Sequence, residues 1–293
     1  MLGRLTGLTI LVAICAGIHA QNYTRFAVIG DYGADSAAEL GVSQLVHSWL
    51  PDFVITVGDN NYDTGSATTI DSNIGKYYHD FIFNYLGTYG AGSPTMRFLP
   101  CPGNHDWGNV GGNPTGLNPY LEYFTLPGNE RYYQWRTGPV ELFLLDSDTN
   151  ESDGYTSGSV QAIWCHSAMS ASTAKWKVVV FHHAAYSSGQ HGSTAYMQWP
   201  FQSWGATAVL SGHDHTYERL QIGSIPYFVN GLGGKSIYSF LAILPQSRVH
   251  YNADYGAMLV TANMRQITFQ FYSRYGLLVD QYTVYARPTP RGG

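Results

Sequence analysis

The sequence predicts an α/β fold in which a parallel, doubly covered sheet region is followed by an antiparallel one. Three observations lead to it. Short apolar runs of β character recur between residues 26 and 210 of the 293, with helical patterns of crossover length between some of them. Five of these runs break off into Asp, Asn or His, most of them through a small residue. From Ile225 onward the pattern turns to short strands rich in Tyr, Val, Phe and Thr, separated by Gly turns.

Taken in order, Phe26–Ile29 is a strand leading into Gly30-Asp31-Tyr32-Gly33. Ser36-Ala37-Ala38-Glu39 then fits a capping box, and Leu40, Leu45, Val46 and Trp49 continue a helical period. Phe53–Val57 returns as a second strand and opens into Gly58-Asp59-Asn60-Asn61-Tyr62. Strand, crossover helix and strand make a βαβ unit, so these two strands are expected to run parallel, buried on both faces. Arg97–Pro100 is read as a central strand that reaches Gly103-Asn104-His105-Asp106 through Cys101-Pro102. A helix over Val160–Ser170 before the strand Lys177–Phe181 gives a second unit, and that strand runs into His182-His183. Ala208–Leu210 leads through Ser211 into Gly212-His213-Asp214-His215. Ala257–Thr261 and Gln266–Tyr272 belong to the antiparallel part. The loops Asn109–Pro119 and Ser147–Ser159 either shape access to a site or are plain surface excursions. The polar ends of the strands fall at one edge, where open α/β sheets place their chemistry.

Composition sets the class of molecule. An apolar share of 44% is ample for a core. Arg4 followed by an uncharged run from Leu5 to Ile18 and the small Ala20 reads as a secretory signal peptide over residues 1–20, with residues 21–293 a single catalytic domain. That places the mature chain outside the cytoplasm: secreted, or in a lysosome, vacuole or periplasm. The apolar core of the leader is short for a bilayer span, so no stable membrane insertion is expected after cleavage. Removing Arg4 from 15 Lys and Arg leaves 14 against 20 Asp and Glu, a formal balance of −6, which gives no help to nucleic-acid binding. Of three Cys, Cys101 and Cys165 remain after the leader; they are expected as buried thiols, with pairing the alternative. Asn22 and Asn150 head N-glycosylation sequons. The 23 Tyr are assigned to strand and loop packing.

The five signatures are Gly-Asp-x-Gly at 30–33, Gly-Asp-x-x-Tyr at 58–62, Gly-Asn-His-Asp at 103–106, Val-x-x-His at 179–182 and Gly-His-x-His at 212–215. Singly, each is no more than a turn at a strand end. In this order, with Tyr62 closing the second, they resemble the purple acid phosphatases, tartrate-resistant acid phosphatases among them, of the calcineurin-like metallophosphoesterase superfamily. The resemblance covers nearly the whole mature chain. It implies a four-layer α/β/β/α sandwich of two mixed sheets flanked by helices. It also implies Asp31, Tyr62 and His215 around a ferric ion, Asn104, His182 and His213 around a divalent ion (iron, zinc or manganese), and Asp59 bridging the two. The donor chemistry agrees with such a set: phenolate and carboxylates suit a trivalent ion, imidazoles and an amide a divalent one, and the scarcity of Cys excludes thiolate sites. About five positive units would meet about four negative ones, counting a bridging hydroxide, which leaves the site attractive to a phosphate ester.

By the same resemblance His105 and His191 hold phosphate oxygens and protonate the departing alkoxide, and Asp106 orients one of them. His182 rather than His183 is the ligand, since Val179 and Tyr186 frame it; His183 stands where His is unusual for the family, and Ala184 where Pro is common. His47, His79, His166 and His250 are expected in surface or packing roles. The implied activity is hydrolysis of small phosphate monoesters at acid pH, by a hydroxide held at a dinuclear Fe(III)–M(II) site. The alternatives are a phosphodiesterase or nucleotide pyrophosphatase on the same site, and a secreted iron-binding or interaction protein.

Overall fold

The computed structural model describes residues 23–112 and 114–287, so the expected signal peptide and Asn22 lie outside the described residues. Two mixed sheets face one another. The first is built from β1 (Thr24–Ile29), β2 (Phe53–Thr56), β3 (Phe98–Leu99), β11 (Gly256–Ala262), β12 (Gln266–Ser273) and β13 (Leu278–Tyr285), in the order β13-β12-β11-β1-β2-β3. The second holds β4 (Tyr133–Thr137), β5 (Val140–Leu144), β6 (Trp176–His183), β7 (Ala208–Gly212), β8 (Tyr217–Ile222), β9 (Ile225–Asn230) and β10 (Ser247–Tyr251), in the order β10-β8-β9-β7-β6-β5-β4.

Both βαβ units form. The helix α1 (Ala37–Ser48) joins the parallel pair β1 and β2, in which Ile29 lies beside Thr56. Its N-cap is Ser36, whose hydroxyl accepts from Glu39 N at 3.0 Å. The Glu39 carboxylate accepts from Ala34 N at 3.0 Å. After β2 an irregular helical stretch contains the single turn α2 (Lys76–Tyr78), and α3 (Asn118–Tyr123) precedes the β4–β5 hairpin. The helix α4 (Val160–Ala171), capped by Ser159, links the parallel strands β5 and β6.

Two readings of the sequence are corrected. The run at Arg97–Pro100 yields only the two-residue β3, at the edge of the first sheet rather than its centre. The antiparallel part does not begin cleanly at Ile225, because β9 lies parallel to β7 and antiparallel to β8. The free thiols of Cys101 and Cys165 are both buried.

The two sheets close on a core in which Phe228 of β9 packs on Phe269 of β12, with ring centroids 4.9 Å apart, and Tyr217 of β8 stacks on Phe271 at 4.0 Å. Complete burial of such side chains contributes about 1.5–3 kcal/mol each. A second cluster, with Phe143, Cys165, Met169, Phe181 and Phe201, fills the other face of the second sheet beneath α4. Among the described residues no helix is long and apolar enough to cross a membrane. The carboxyl ends of β1, β2, β3, β6 and β7 all point to one edge of the sandwich, and the five signatures follow them there.

Candidate metal centre

The turns beyond the strands hold their residues in unusual backbone geometry. Asp31, Asp59 and His213 all have positive φ, at 54°, 53° and 71°. Asp tolerates this region, but for His213 it is strained, at about 1–3 kcal/mol, and the surrounding contacts must hold it. Gly58 also has a positive φ, 90°, and a Cβ there would lie 2.6 Å from His182 Nδ1. Only glycine lets the His182 ring lie against this backbone.

All seven predicted ligand residues converge. In one half, Tyr62 Oη lies 2.9 Å from Asp59 Oδ2, 3.4 Å from Asp31 Oδ1 and 3.1 Å from His215 Nε2, which is itself 3.3 Å from Asp31 Oδ1. The ligand atoms of the buried Asp31, Asp59 and His215 all fall within 4.8 Å of one another. In the other half, His182 Nε2 faces Asn104 Oδ1 at 3.1 Å, His213 Nδ1 at 3.2 Å and Asp59 Oδ2 at 3.3 Å. Asp59 thus borders both halves.

The chemistry of this donor set fits metal ions. His182 Nδ1 lies 2.8 Å from the carbonyl of Val57, which can only accept, so Nδ1 carries a proton and Nε2 presents a lone pair in the neutral ring. That lone pair meets an amide oxygen, a carboxylate oxygen and a second imidazole nitrogen. One proton on Nε2 satisfies one of the three; a cation between them satisfies all. His215 is oriented in the same manner, with Nδ1 bonded to Ser236 Oγ at 2.6 Å and Nε2 turned to Asp31 and Tyr62.

The electrostatics agree. Burial opposes ionisation of Asp59, yet His182, His105 and His213 hold its pKa well below the usual range. Burial likewise disfavours charge on His182, but Asp59 prevails and its pKa rises to about 10, so metal uptake displaces a proton. Burial, then Asp59 and Asp31, push Tyr62 far upward. Only a bound cation could make it a phenolate.

The two histidines proposed for acid catalysis stand on either side of the cluster. The His105 ring packs on Tyr62 at 4.2 Å, with Nδ1 on the carbonyl of Asp63 and Nε2 3.9 Å from Asp59 Oδ2. His191 is exposed and stacks on His213 at 4.1 Å. Asp106 orients neither ring. Its buried carboxylate accepts from Gly103 N and from Asn60 N and Nδ2, because the turn at 103–106 folds it back beneath the ligand loops. Burial and the charge of Asp59 raise its pKa to about 7. The His183 ring lies 5.1 Å from that of His182 at the end of β6, with its Nδ1 turned to Ser147.

Several supporting residues carry no mark in the sequence reading. Asn60 binds Tyr32, Thr56, Cys101 and Asp106 at once, tying the second and third signatures together. Asp214 accepts from His191 N at 2.8 Å and from the Ser187 hydroxyl, which fixes the loop that carries His191. Both are the unspecified residues inside recognised motifs. Ser236 and Tyr238, whose ring stacks on His215 at 4.0 Å, follow the glycine-rich segment after β9, a signal that could have pointed to them. Lys235 pairs with Asp63 and lies 4.7 Å from the Tyr62 ring centre. Of the lone histidines, His47 bonds Asp80 and Ser43, His79 bonds Gly75, His166 stacks on Trp204, and His250 meets Phe240 edge-on. The half-buried Asn150 donates its amide to Asp148 at 2.6 Å.

Comparison with known proteins gives a consistent picture. The family model of the calcineurin-like phosphoesterases matches residues 12–217. Purple acid phosphatase 3 of Arabidopsis thaliana is 23% identical over 301 residues, covering 88% of this chain and 76% of that one. Among solved structures, the purple acid phosphatase PPD1 of yellow lupin superposes with a TM-score of 0.74 at 18% identity, over 90% of this chain and 54% of that one. GAP50, described as the anchor in the inner membrane complex of Plasmodium, superposes with a TM-score of 0.70 at 16% identity, over 92% of this chain and 90% of that one.

Proposed function

Because the chain belongs to the calcineurin-like phosphoesterase family, whose activity is phosphoester hydrolysis at a metal site, we propose that it is an acid phosphatase acting on small phosphate monoesters outside the cytoplasm. The observation that carries the reading is the convergence of seven donor side chains, Asp59 among them, in two halves that cannot all be satisfied by protons. Asp31, Tyr62 and His215 would hold Fe(III), and Asn104, His182 and His213 a divalent iron, zinc or manganese, with Asp59 between them. Two such ions supply an activated water and positive charge for the phosphoryl oxygens.

The chain's own residues account for the rest. His191, stacked on His213, and His105, packed on Tyr62, would donate to phosphoryl oxygens and give a proton to the leaving alkoxide. Asn60 and Asp106 brace the loops of Asp59 and Asn104, and Ser236 fixes the His215 ring. The test is the rate on a monoester against a bis-ester with metal content measured on the same sample. Faster turnover of the monoester supports the reading; preference for the bis-ester moves the chain to the phosphodiesterase alternative. Fold alone does not set activity. Full metal occupancy with negligible hydrolysis of either ester would favour a binding role.

A further inference from the structure

His183 stands beside the cluster without belonging to the proposed ligand set. Its backbone N–H donates to Ser147 Oγ at 2.9 Å, and its Nδ1 lies 2.9 Å from the same oxygen. Ser147 is fully buried, and its hydroxyl has no other partner among the described residues. A hydroxyl has one proton and two lone pairs. The amide fills a lone pair, and a buried hydroxyl proton needs an acceptor, which here is Nδ1. The neutral ring therefore carries its own proton on Nε2.

That Nε2 has no protein partner among the described residues, and the side chain is only half-buried. The ring lies 4.5 Å from that of His213 and 5.1 Å from that of His182, while His191 stacks on the same His213 ring from 4.1 Å. A fixed, unused N–H donor thus sits next to the two imidazoles assigned to the divalent ion. We propose that His183 is a substrate-binding residue whose Nε2–H donates to a non-bridging oxygen of the phosphoryl group, with Ser147 as the positioning residue behind it. This rests on the hydrolase reading above. The donor is neutral, so it would add directional recognition of the phosphoryl group without adding charge to a site that two cations would fill.

Two substitutions separate this role from a structural one. His183→Asn keeps a polar group near Nδ1, able to bond Ser147, but loses the outward donor; His183→Gln reaches outward with an amide N–H but loses the match to Ser147. The probe is inorganic phosphate, titrated calorimetrically into metal-loaded protein, with metal content and steady-state kinetics on a monoester alongside. The expected result is phosphate binding weakened about 10–100-fold in His183→Asn, the range for a hydrogen bond to a charged acceptor, with KM raised in parallel and kcat little changed. His183→Gln should stay within about threefold of the parent, on the same argument that the donor is what counts. Unchanged phosphate affinity in His183→Asn, or loss of metal from both variants, would overturn the proposal and leave the hydrolase reading standing. A parent protein that neither binds phosphate nor hydrolyses esters would overturn both.

Discussion

Asp59 is the residue on which the site turns, since its Oδ2 meets both Tyr62 and His182 while its Oδ1 accepts from His105 N. Replacing it with Asn removes the shared charge, and the account expects the metal content of Asp59→Asn to fall from two ions per chain to one or none. Two retained ions, by elemental analysis, would contradict the bridging role. Ser236 supplies a milder test. Removing the partner of His215 Nδ1 in Ser236→Ala should weaken metal affinity or activity about 10–100-fold, as loss of an outer partner usually does. At this scale the sequence was informative where a motif names the residue. Asp31, Asn104 and His213 are legible because each follows a strand in a recognisable turn. For Asp106 the resemblance implies orienting one of the two histidines, whereas burial turns its carboxylate to backbone and amide donors. Ser236 follows the glycine-rich segment after β9, a local signal, but its pairing with His215 comes only from the fold.

The elements explain why the ligands meet. Each signature follows a strand because the turn must carry its donor beyond the sheet, and the strand after it must then be free to leave. Gly58 is the narrowest point of this arrangement. A methyl group at Gly58→Ala meets the His182 ring on a backbone with positive φ, so the variant should lose about 2 kcal/mol or more of stability together with metal content. Thermal unfolding and metal analysis check this, and a variant with unchanged metal content would show that the His182 loop adapts. Away from the centre, Asp71 anchors the irregular segment around α2. It accepts from Tyr85 and Tyr123 hydroxyls and from Thr88 N and Oγ1. Burial alone would raise its pKa, but these hydrogen bonds prevail and hold it below the usual carboxylate range. A depressed folded-state pKa contributes stability above the unfolded value, near 4, and that contribution is lost as pH falls through the folded value. Asp71→Asn should therefore cost about 1–2 kcal/mol at pH 7, with the difference from the parent shrinking toward pH 3 in urea unfolding. The sequence showed β1, α1, β2, α4, β6 and β7 because period and caps agree there. It missed the β4–β5 hairpin and β8, whose short mixed patterns take their strand character from sheet neighbours.

At the scale of the whole molecule, two facing sheets bring signatures nearly two hundred residues apart in sequence within bonding distance, as in the contact of His213 N with Asp31 at 3.1 Å. The parallel strands that carry them were readable from two crossover units, but the order of strands was not. β11 inserts beside β1, and β9 joins β7 in parallel, through long-range pairing that no local pattern encodes. The proposed chemistry makes one prediction for the intact enzyme. If His105 and His191 supply the proton to the leaving group, activity on a monoester should peak in acid and decline toward alkaline pH. A rate that climbs steadily to about pH 9 would contradict the roles given to these two residues. The central claim is a dinuclear centre in which Tyr62 binds Fe(III), and it is tested most directly by the visible absorption spectrum of the purified protein with metal analysis on the same sample. The account predicts a broad band in the green to yellow, with one iron and a second metal ion per chain, that is absent in Tyr62→Phe. A colourless, fully active protein holding two zinc or manganese ions would contradict it.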